Sequence, residues 1–216
     1  LPALYATVKR REALVKKLEA RGGLPPWGPE ILVRHHRAQA DDELDALFGE
    51  WDTWAAHIAD THMKYPVLTR FRLPRSNNHW LISLLAVADA AALRITLLPS
   101  NPQGKARLFL EMAATCLENL AHVMPLSTPR PDGPSLTEHE FSAAIAVLSE
   151  AGVPVERSAV DAWTEFARLR ARYVDLAAPI VANLFLPTHR WSIGAGPEGP
   201  GPAAAVGSSG REDVVG

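Results

Sequence analysis

Four side chains in the middle of the chain have types and spacings that could bind a metal ion. Glu118 and His122 are four residues apart, and Glu111 lies two helical turns before Glu118. Asp89 lies in the apolar segment that precedes them. Carboxylates and histidines that project inward from bundle helices are the ligands of di-iron sites, but those sites use a Glu-x-x-His spacing that this chain lacks. The alternatives are a free-standing helical metal or redox protein and a polar outer stripe.

A second group of possible ligands is less regularly spaced. His57 and His62 are five residues apart, and Glu50 lies two turns before His57. Metal-binding pairs on a helix prefer spacings of three or four, which place both side chains on one face. Solvated or capping histidines are the competing interpretation.

Asp89 is the side chain whose surroundings are most unusual. The apolar residues Ile82, Leu85, Ala92 and Leu93 flank it at helical spacing. A buried carboxylate must be paired, hydrogen-bonded or protonated. We expect Asp89 to form a buried polar tie, and its candidate partners are Arg70, Arg72, Arg75 and the indole N–H of Trp80.

The segment Tyr65–Ser76 is a cationic loop that contains two prolines. Its cations, with the residue just before it, are Lys64, Arg70, Arg72 and Arg75. Tyr65 and Phe71 are interleaved with them. Such a loop could contact a phosphate, anionic lipid headgroups or an acidic partner. The alternative is that the loop binds its own domain.

The rest of the chain contains no motif for a chemical reaction. It lacks a phosphate-binding loop, a cysteine cluster and a nucleophile motif, so we expect no catalytic residue and no cofactor. The formal net charge of −2 is unlike that of a nucleic-acid-binding protein, which needs clustered lysine and arginine to neutralise phosphates. Cys116 is the only cysteine, so an internal disulfide is excluded.

These residues must be positioned by helices, because apolar residues recur at helical spacing along most of the chain. The pattern predicts an all-α bundle of about six to seven helices. The predicted helices cover Leu4–Arg21, Glu30–Arg37, a helix capped by Asp41 or Asp42 that runs to about Met63, one capped by Asn77 or Asn78 that includes Leu81–Leu98, Lys105–Val123, Glu138–Ala151 and Val160–Phe185. Ser135 or Thr137 is expected to open the sixth helix and Gly152 to end it, and Pro179 is expected to kink the last.

The segment Leu81–Leu98 is about long enough to span a membrane. However, Asp89 lies at its centre and Arg94 follows just over one turn later. Each would cost roughly 2.5–3.5 kcal/mol in a bilayer, which the small Ala and Ser side chains do not offset. We therefore expect a buried helix of a globular domain.

Four segments in order resemble the cytosolic C-terminal region of bacterial, mainly actinobacterial, potassium-channel-family proteins with two transmembrane helices and one pore loop. The segments are Leu1–Tyr5 with Arg10–Glu12, Leu18–Arg21 and Pro25-Pro26; Trp51–Trp54 with Tyr65–Leu68 and Phe71-Arg72; Trp80-Leu81 through Asp89–Leu93; and Trp163, Tyr173 and Leu186-Pro187 to Trp191.

The resemblance implies an accessory or regulatory domain, without catalysis, on the cytoplasmic side of the plasma membrane. Residues 1–23 would continue from a missing membrane segment, residues 24–192 would form the helical cytosolic domain, and the Gly/Pro/Ala-rich residues 193–216 would be disordered. The expected partners are the missing upstream pore helices, further copies of the chain in a homo-oligomer, and anionic lipid headgroups. The pore and the Thr-Val-Gly-Tyr-Gly filter are not in the sequence, so the chain as given cannot conduct.

Overall fold

The computed structural model describes residues 2–64, 79–124, 136–184, 186 and 191, with side chains from residue 12 onward except at 62–64. The described residues form an all-α bundle, as predicted, and none of them lies in a strand. The helices are α1 (Pro2–Gly22), α2 (Gly28–Arg37), α3 (Leu44–Lys64), α4 (Trp80–Leu97), α5 (Gly104–Val123), α6 (Glu138–Glu150) and α7 (Ala159–Asn183), and a 3₁₀ turn, Asp41–Glu43, precedes α3. Residues 193–216 lie outside the described part, so the disorder of this tail stays a prediction.

Helix α3 has the amphipathic pattern that the sequence predicted. The seven apolar residues of its predicted inner face are all buried: Leu44, Leu47, Phe48, Trp51, Trp54, Ala55 and Ile58. This face packs along α5, where the rings of Phe48 and Phe109 are stacked with 6.2 Å between their centres. Leu108, the residue before Phe109, does not share the buried face of α5, and its side chain is 62% exposed. It is offset from Phe109 by about 100° around the helix axis.

Helix α4 lies at the centre of the bundle and contacts α1, α2, α3, α5 and α7. All of its residues except Leu85 are buried. By length and composition it could cross a membrane, and no other helix among the residues described meets that criterion. Its neighbours cover almost its whole surface, so α4 is the core helix of this bundle, in agreement with the prediction.

The N-terminus of α4 is capped by a residue that the sequence analysis did not identify. The Nδ1 atom of His79 accepts a hydrogen bond from the backbone N–H of Leu81 at 3.2 Å. The prediction of Asn77 or Asn78 as the cap is wrong, because the helix begins later, at Trp80. The imidazole nitrogen replaces the side-chain oxygen that usually occupies this position.

The ends of α6 and α7 follow ordinary capping rules. Thr137 and Glu140 form a capping box, with Thr137 Oγ1 accepting from the Glu140 N–H at 3.2 Å and Glu140 Oε2 accepting from the Thr137 N–H at 2.7 Å. Gly152 follows α6 with a φ of +86°, which glycine adopts without a steric penalty. Ser158 caps α7, and α7 continues through Pro179. The predictions for Thr137 and Gly152 are confirmed.

The second half of α1 is attached to this bundle. Val15 and Leu18 are buried in the common core, and α1 contacts α2, α3 and α4. Lys17 Nζ lies 2.7 Å from the Glu50 carboxylate of α3. This helix therefore forms one wall of a groove along α3, which is described below.

Candidate functional site

The carboxylate of Asp89 is the centre of a buried polar cluster between α4 and α7. Asp89 is buried, as predicted. Its Oδ1 atom accepts a hydrogen bond from Arg170 Nε at 3.0 Å and another from the Tyr173 hydroxyl at 2.5 Å. Arg170 and Tyr173 are three residues apart on α7 and so project from the same face of that helix. The cluster joins the central helix to the last one.

Both hydrogen-bond donors to Asp89 that the structure describes come from α7, and the sequence analysis proposed neither of them. Trp80 lies nine residues earlier on α4, about 13 Å along the helix axis at a rise of 1.5 Å per residue. Its indole is therefore too distant to bind the carboxylate. The other proposed partners lie outside the described residues: Arg70, Arg72 and Arg75.

The guanidinium of Arg170 extends this cluster to Trp191. Its Nη2 atom donates a hydrogen bond to the backbone carbonyl of Trp191 at 2.5 Å. The Trp191 indole meets Trp27 and Phe166 edge-on, at centroid distances of 5.8 and 5.6 Å, and Phe141 at 6.5 Å. Trp191 has a φ of +61°, which is uncommon for a residue other than glycine. The N-cap residue of α2 and residues of α6 and α7 thus surround one side chain from the C-terminal part of the chain.

Gly28 allows α2 to approach the same cluster. A Cβ atom at this position would lie 2.8 Å from Asp89 Cβ and 2.9 Å from the backbone nitrogen of Ala90. Both distances are far shorter than ordinary carbon contacts. Only a residue without a side chain fits between α2 and α4 here.

Burial determines the proton affinities in the cluster. It raises the pKa of Asp89 above 3.8, while the charge of Arg170 and the hydrogen bonds from Tyr173 and Arg170 oppose that shift. Burial also raises the pKa of the Tyr173 hydroxyl well above 10, and the charge of Asp89 adds to the effect. Tyr173 is therefore a hydrogen-bond donor at neutral pH. Arg170 and Tyr173 both bind Asp89, which suits a structural tie between helices.

The four possible metal ligands are not brought together. Glu111 Oε1 and Oε2 accept hydrogen bonds from the Arg172 guanidinium at 2.6 and 2.5 Å. His122 Nδ1 lies 2.8 Å from the backbone oxygen of Glu118, in its own helix, while Asp89 is committed to α7. Within the described ranges, no three His, Cys, Asp or Glu side chains form a group that could hold a metal ion. The metal or redox alternative therefore loses its predicted site, and the outer-stripe interpretation fits Glu111.

Of the second group of possible ligands, Glu50 is paired with Lys17. The side chain of His62 is not among those that the structure describes. The Nε2 atom of His57 is buried and has no hydrogen-bond partner among the residues that the structure describes. The Nε2 atom of His57 is therefore not solvated, although the residue as a whole is half-buried.

A groove of about 550 Å³ lies between α1 and α3. The described residues that line it are Ala13, Leu14 and Lys17 of α1 and Glu50, Thr53, Trp54 and His57 of α3. The α3 residues recur at i, i+3, i+4 and i+7, so they form one face over two helical turns. Sequence reasoning did not identify this groove, because no pattern within α1 shows which face of α3 it meets.

The cationic surface predicted for residues 64–75 remains a prediction. Arg70, Arg72 and Arg75 lie outside the described residues. Lys64 is the last residue of α3, and nothing is described of its side chain.

Two buried arginines were missed, although the sequence contained a signal for one of them. Arg170 lies four residues from both Phe166 and Val174, which are buried, so a charge interrupts the apolar face of α7. Such a position predicts a buried partner. Arg94 makes a similar contact, with Nη2 3.2 Å from Asp45 Oδ1 at the start of α3.

Comparison of the chain with protein-family models, with curated proteins and with solved structures gives no match.

Proposed function

We propose that the chain is a non-catalytic regulatory domain on the cytosolic side of a potassium-channel-like membrane protein. The proposal rests on the ordered resemblance of segments between residues 1 and 191 and on the attachment of α1 to the bundle. In this role α1 connects the bundle to pore helices upstream of residue 1. Copies of the domain would assemble around the pore as a homo-oligomer.

The attachment of α1 is the observation that carries this proposal. The helix has 21 residues, about 30 Å at 1.5 Å per residue. Val15 and Leu18 fix its second half in the core, Lys17 pairs with Glu50, and Arg34 Nη1 donates to the Ala20 carbonyl at 3.1 Å. A continuous helix held at one end can transmit a displacement between the bundle and whatever its other end is joined to.

Two features favour regulation over catalysis. The Asp89 carboxylate is occupied by hydrogen bonds from Arg170 and from the Tyr173 hydroxyl. Burial raises the pKa of the Cys116 thiol to about 12, so it stays protonated at neutral pH and is a poor nucleophile. In this proposal the cations at 64, 70, 72 and 75 contact anionic headgroups at the membrane surface.

The test begins with the reading frame upstream of residue 1. We expect it to encode two apolar spans and a potassium filter, and the full protein to carry potassium flux in liposomes. An initiator methionine immediately before residue 1 would contradict the proposal. Three glycines inserted between residues 11 and 12 should change the flux because they interrupt α1, while the same insertion after residue 193 should not.

The membrane contact is tested separately with the purified 216-residue chain. Replacement of Arg70, Arg72 and Arg75 by Gln should weaken binding of the chain to vesicles containing phosphatidylserine. If these arginines contact headgroups and not their own domain, as proposed, the helical content should not change, since surface charges contribute little to stability. Equal binding by the variant and the wild type would remove the headgroup contact from the proposal.

A further inference from the structure

The groove between α1 and α3 has the size and rigidity of a small-molecule site. Its volume of about 550 Å³ lies within the range of roughly 300–1,000 Å³ that is typical of ligand pockets. Trp54 forms part of its wall and is itself packed against Trp51 and Trp80, at centroid distances of 4.8 and 6.2 Å. Leu14 and Ala13 supply apolar surface from α1. The wall on the α3 side is therefore fixed by the core behind it.

The charges at the groove neutralise each other. Lys17 Nζ lies 2.7 Å from both carboxylate oxygens of Glu50. Thr53 Oγ1 donates to the carbonyl of Gly49, in its own helix. Within the described lining, no charge is left for an ionic ligand. An uncharged occupant fits this lining better than an anion or a cation.

One polar group at the groove still requires a partner. The Nε2 atom of His57 is buried without a hydrogen bond in the described part of the structure. A buried, unsatisfied nitrogen costs free energy that a hydrogen-bonding ligand would recover. His57 itself lines the groove, so a rotation of its imidazole ring would bring a nitrogen to the groove surface. His57 lies seven residues from Glu50, about 10 Å along the helix axis.

We propose that this groove binds an uncharged, mostly apolar molecule about 10 Å long, whose single hydrogen-bonding group contacts His57. The apolar body would lie between Trp54 and Leu14, and the polar group at the end opposite the Lys17–Glu50 pair. Because the ligand would contact α1 and α3 together, it would stabilise α1 against the bundle. This regulatory consequence rests on the proposed function, whereas the binding itself does not.

Binding is tested with N-phenyl-1-naphthylamine, an uncharged two-ring fluorophore with one N–H group, and the purified 216-residue chain. We expect saturable binding at one site. Ala13→Phe should weaken it at least tenfold by filling the groove, and Thr53→Phe should do the same from the opposite wall. Both positions are exposed, so both variants should fold. Ala56→Phe is the matched control, at an exposed position of α3 that does not line the groove.

The chemical class of the ligand is tested with two analogues of this probe. His57→Phe should weaken N-phenyl-1-naphthylamine about threefold to tenfold, the worth of one hydrogen bond, but leave 1-phenylnaphthalene, which lacks the N–H, unaffected. Equal losses with both probes would overturn the role of His57. Tighter binding of the anionic 8-anilinonaphthalene-1-sulfonate would overturn the assignment of an uncharged ligand.

Equal affinity of Ala13→Phe and wild type for the fluorophore would overturn the groove as its site. That outcome would leave the upstream reading frame and potassium flux, which test the proposed function, unaffected. If binding is confirmed, hydrogen exchange in residues 12–22 should slow when the probe is bound. Unchanged exchange there would overturn the claim that the ligand stabilises α1.

Discussion

Two carboxylates, Asp89 and Glu111, each bind an arginine of α7 but lie in opposite surroundings. The side chains of Asp89 and Arg170 are each 6% exposed, whereas those of Glu111 and Arg172 are 59% and 46% exposed. Water screens the outer pair and solvates each partner when the contact opens. The inner pair has no such alternative, because loss of one partner leaves a buried charge uncompensated. Loss of one partner therefore costs more free energy of unfolding at the Asp89–Arg170 pair than at the Glu111–Arg172 pair.

We expect Asp89→Ala to lower the free energy of unfolding by about 3–5 kcal/mol, the cost of an unpaired buried charge. Glu111→Ala is the matched control and should lower it by only about 0–1 kcal/mol. Urea denaturation followed by circular dichroism measures both values. The double variant Asp89→Leu with Arg170→Met should recover much of the loss, because it removes both charges. A small effect of Asp89→Ala would show that Arg170 is solvated after all.

The raised pKa of Asp89 predicts a pH dependence of stability with a definite sign. In the unfolded chain this group ionises near 3.8, whereas burial keeps it protonated to higher pH in the folded state. Between these two pH values the folded state binds more protons, so stability falls as pH rises. The contribution of Asp89 to folding stability is thus fully present below pH 3.8 and is lost as pH rises through the folded-state pKa.

This dependence is measured as the difference in unfolding free energy between wild type and Asp89→Asn from pH 3 to pH 7. As pH rises, the wild type should lose stability relative to Asp89→Asn. If the wild type instead gained stability relative to the variant, Arg170 and Tyr173 would lower the pKa of Asp89 more than burial raises it.

The burial of Asp89 could be predicted from sequence, but its partners could not. The apolar residues around it at helical spacing are local information, and they were sufficient to place the carboxylate in the core. Arg170 and Tyr173 are 81 and 84 residues away in the chain. Only the packing of α7 against α4 brings them together, and periodicity within one helix carries no information about that pairing.

At the scale of elements, the close approach of α2 to α4 depends on Gly28. The helix ranges themselves followed from apolar spacing, glycines and prolines, and most boundaries agree to within about two residues, as expected for frayed ends. The cap of α4 was missed because histidine is an unusual N-cap residue. The space at Gly28 could not be predicted either, because it is defined by Asp89 and Ala90 of another helix.

Gly28→Ala should destabilise the fold by about 1–3 kcal/mol, because the added methyl group forces α2 away from α4. Gly49→Ala provides the control, since a Cβ there meets nothing within 4 Å in the interior of α3. That variant should stabilise by roughly 0.5–1 kcal/mol, the difference in helix propensity between the two residues. Thermal denaturation of the two variants should give shifts of opposite sign. A neutral Gly28→Ala would show that α2 can move without cost.

At the scale of the whole molecule, Trp191 connects parts of the chain that are distant in sequence. Its ring contacts Trp27 just before α2, Phe141 of α6 and Phe166 of α7, and its carbonyl binds Arg170. Through Arg170, this residue is also linked to the central helix. A residue that follows the last described helix therefore packs against three other parts of the bundle. The resemblance included Trp191 in its final segment, but no local pattern explains a tryptophan there.

Two truncations separate the role of Trp191 from that of the tail. A chain that ends at residue 186 loses the indole and the carbonyl bound by Arg170, so it should be destabilised by about 3–5 kcal/mol, the usual cost of removing a buried tryptophan side chain. For a domain of this size that corresponds to roughly 10 °C in the unfolding midpoint. A chain that ends at residue 193 keeps Trp191 and loses only residues rich in Gly, Pro and Ala, which have little apolar surface to bury, so its midpoint should not change. Trp191→Ala in the full chain removes the indole but keeps the carbonyl bound by Arg170, so it should be less destabilised than the chain that ends at residue 186. If both truncations lowered the midpoint equally, residues 194–216 would contribute to the fold, and the prediction that they are disordered would be wrong.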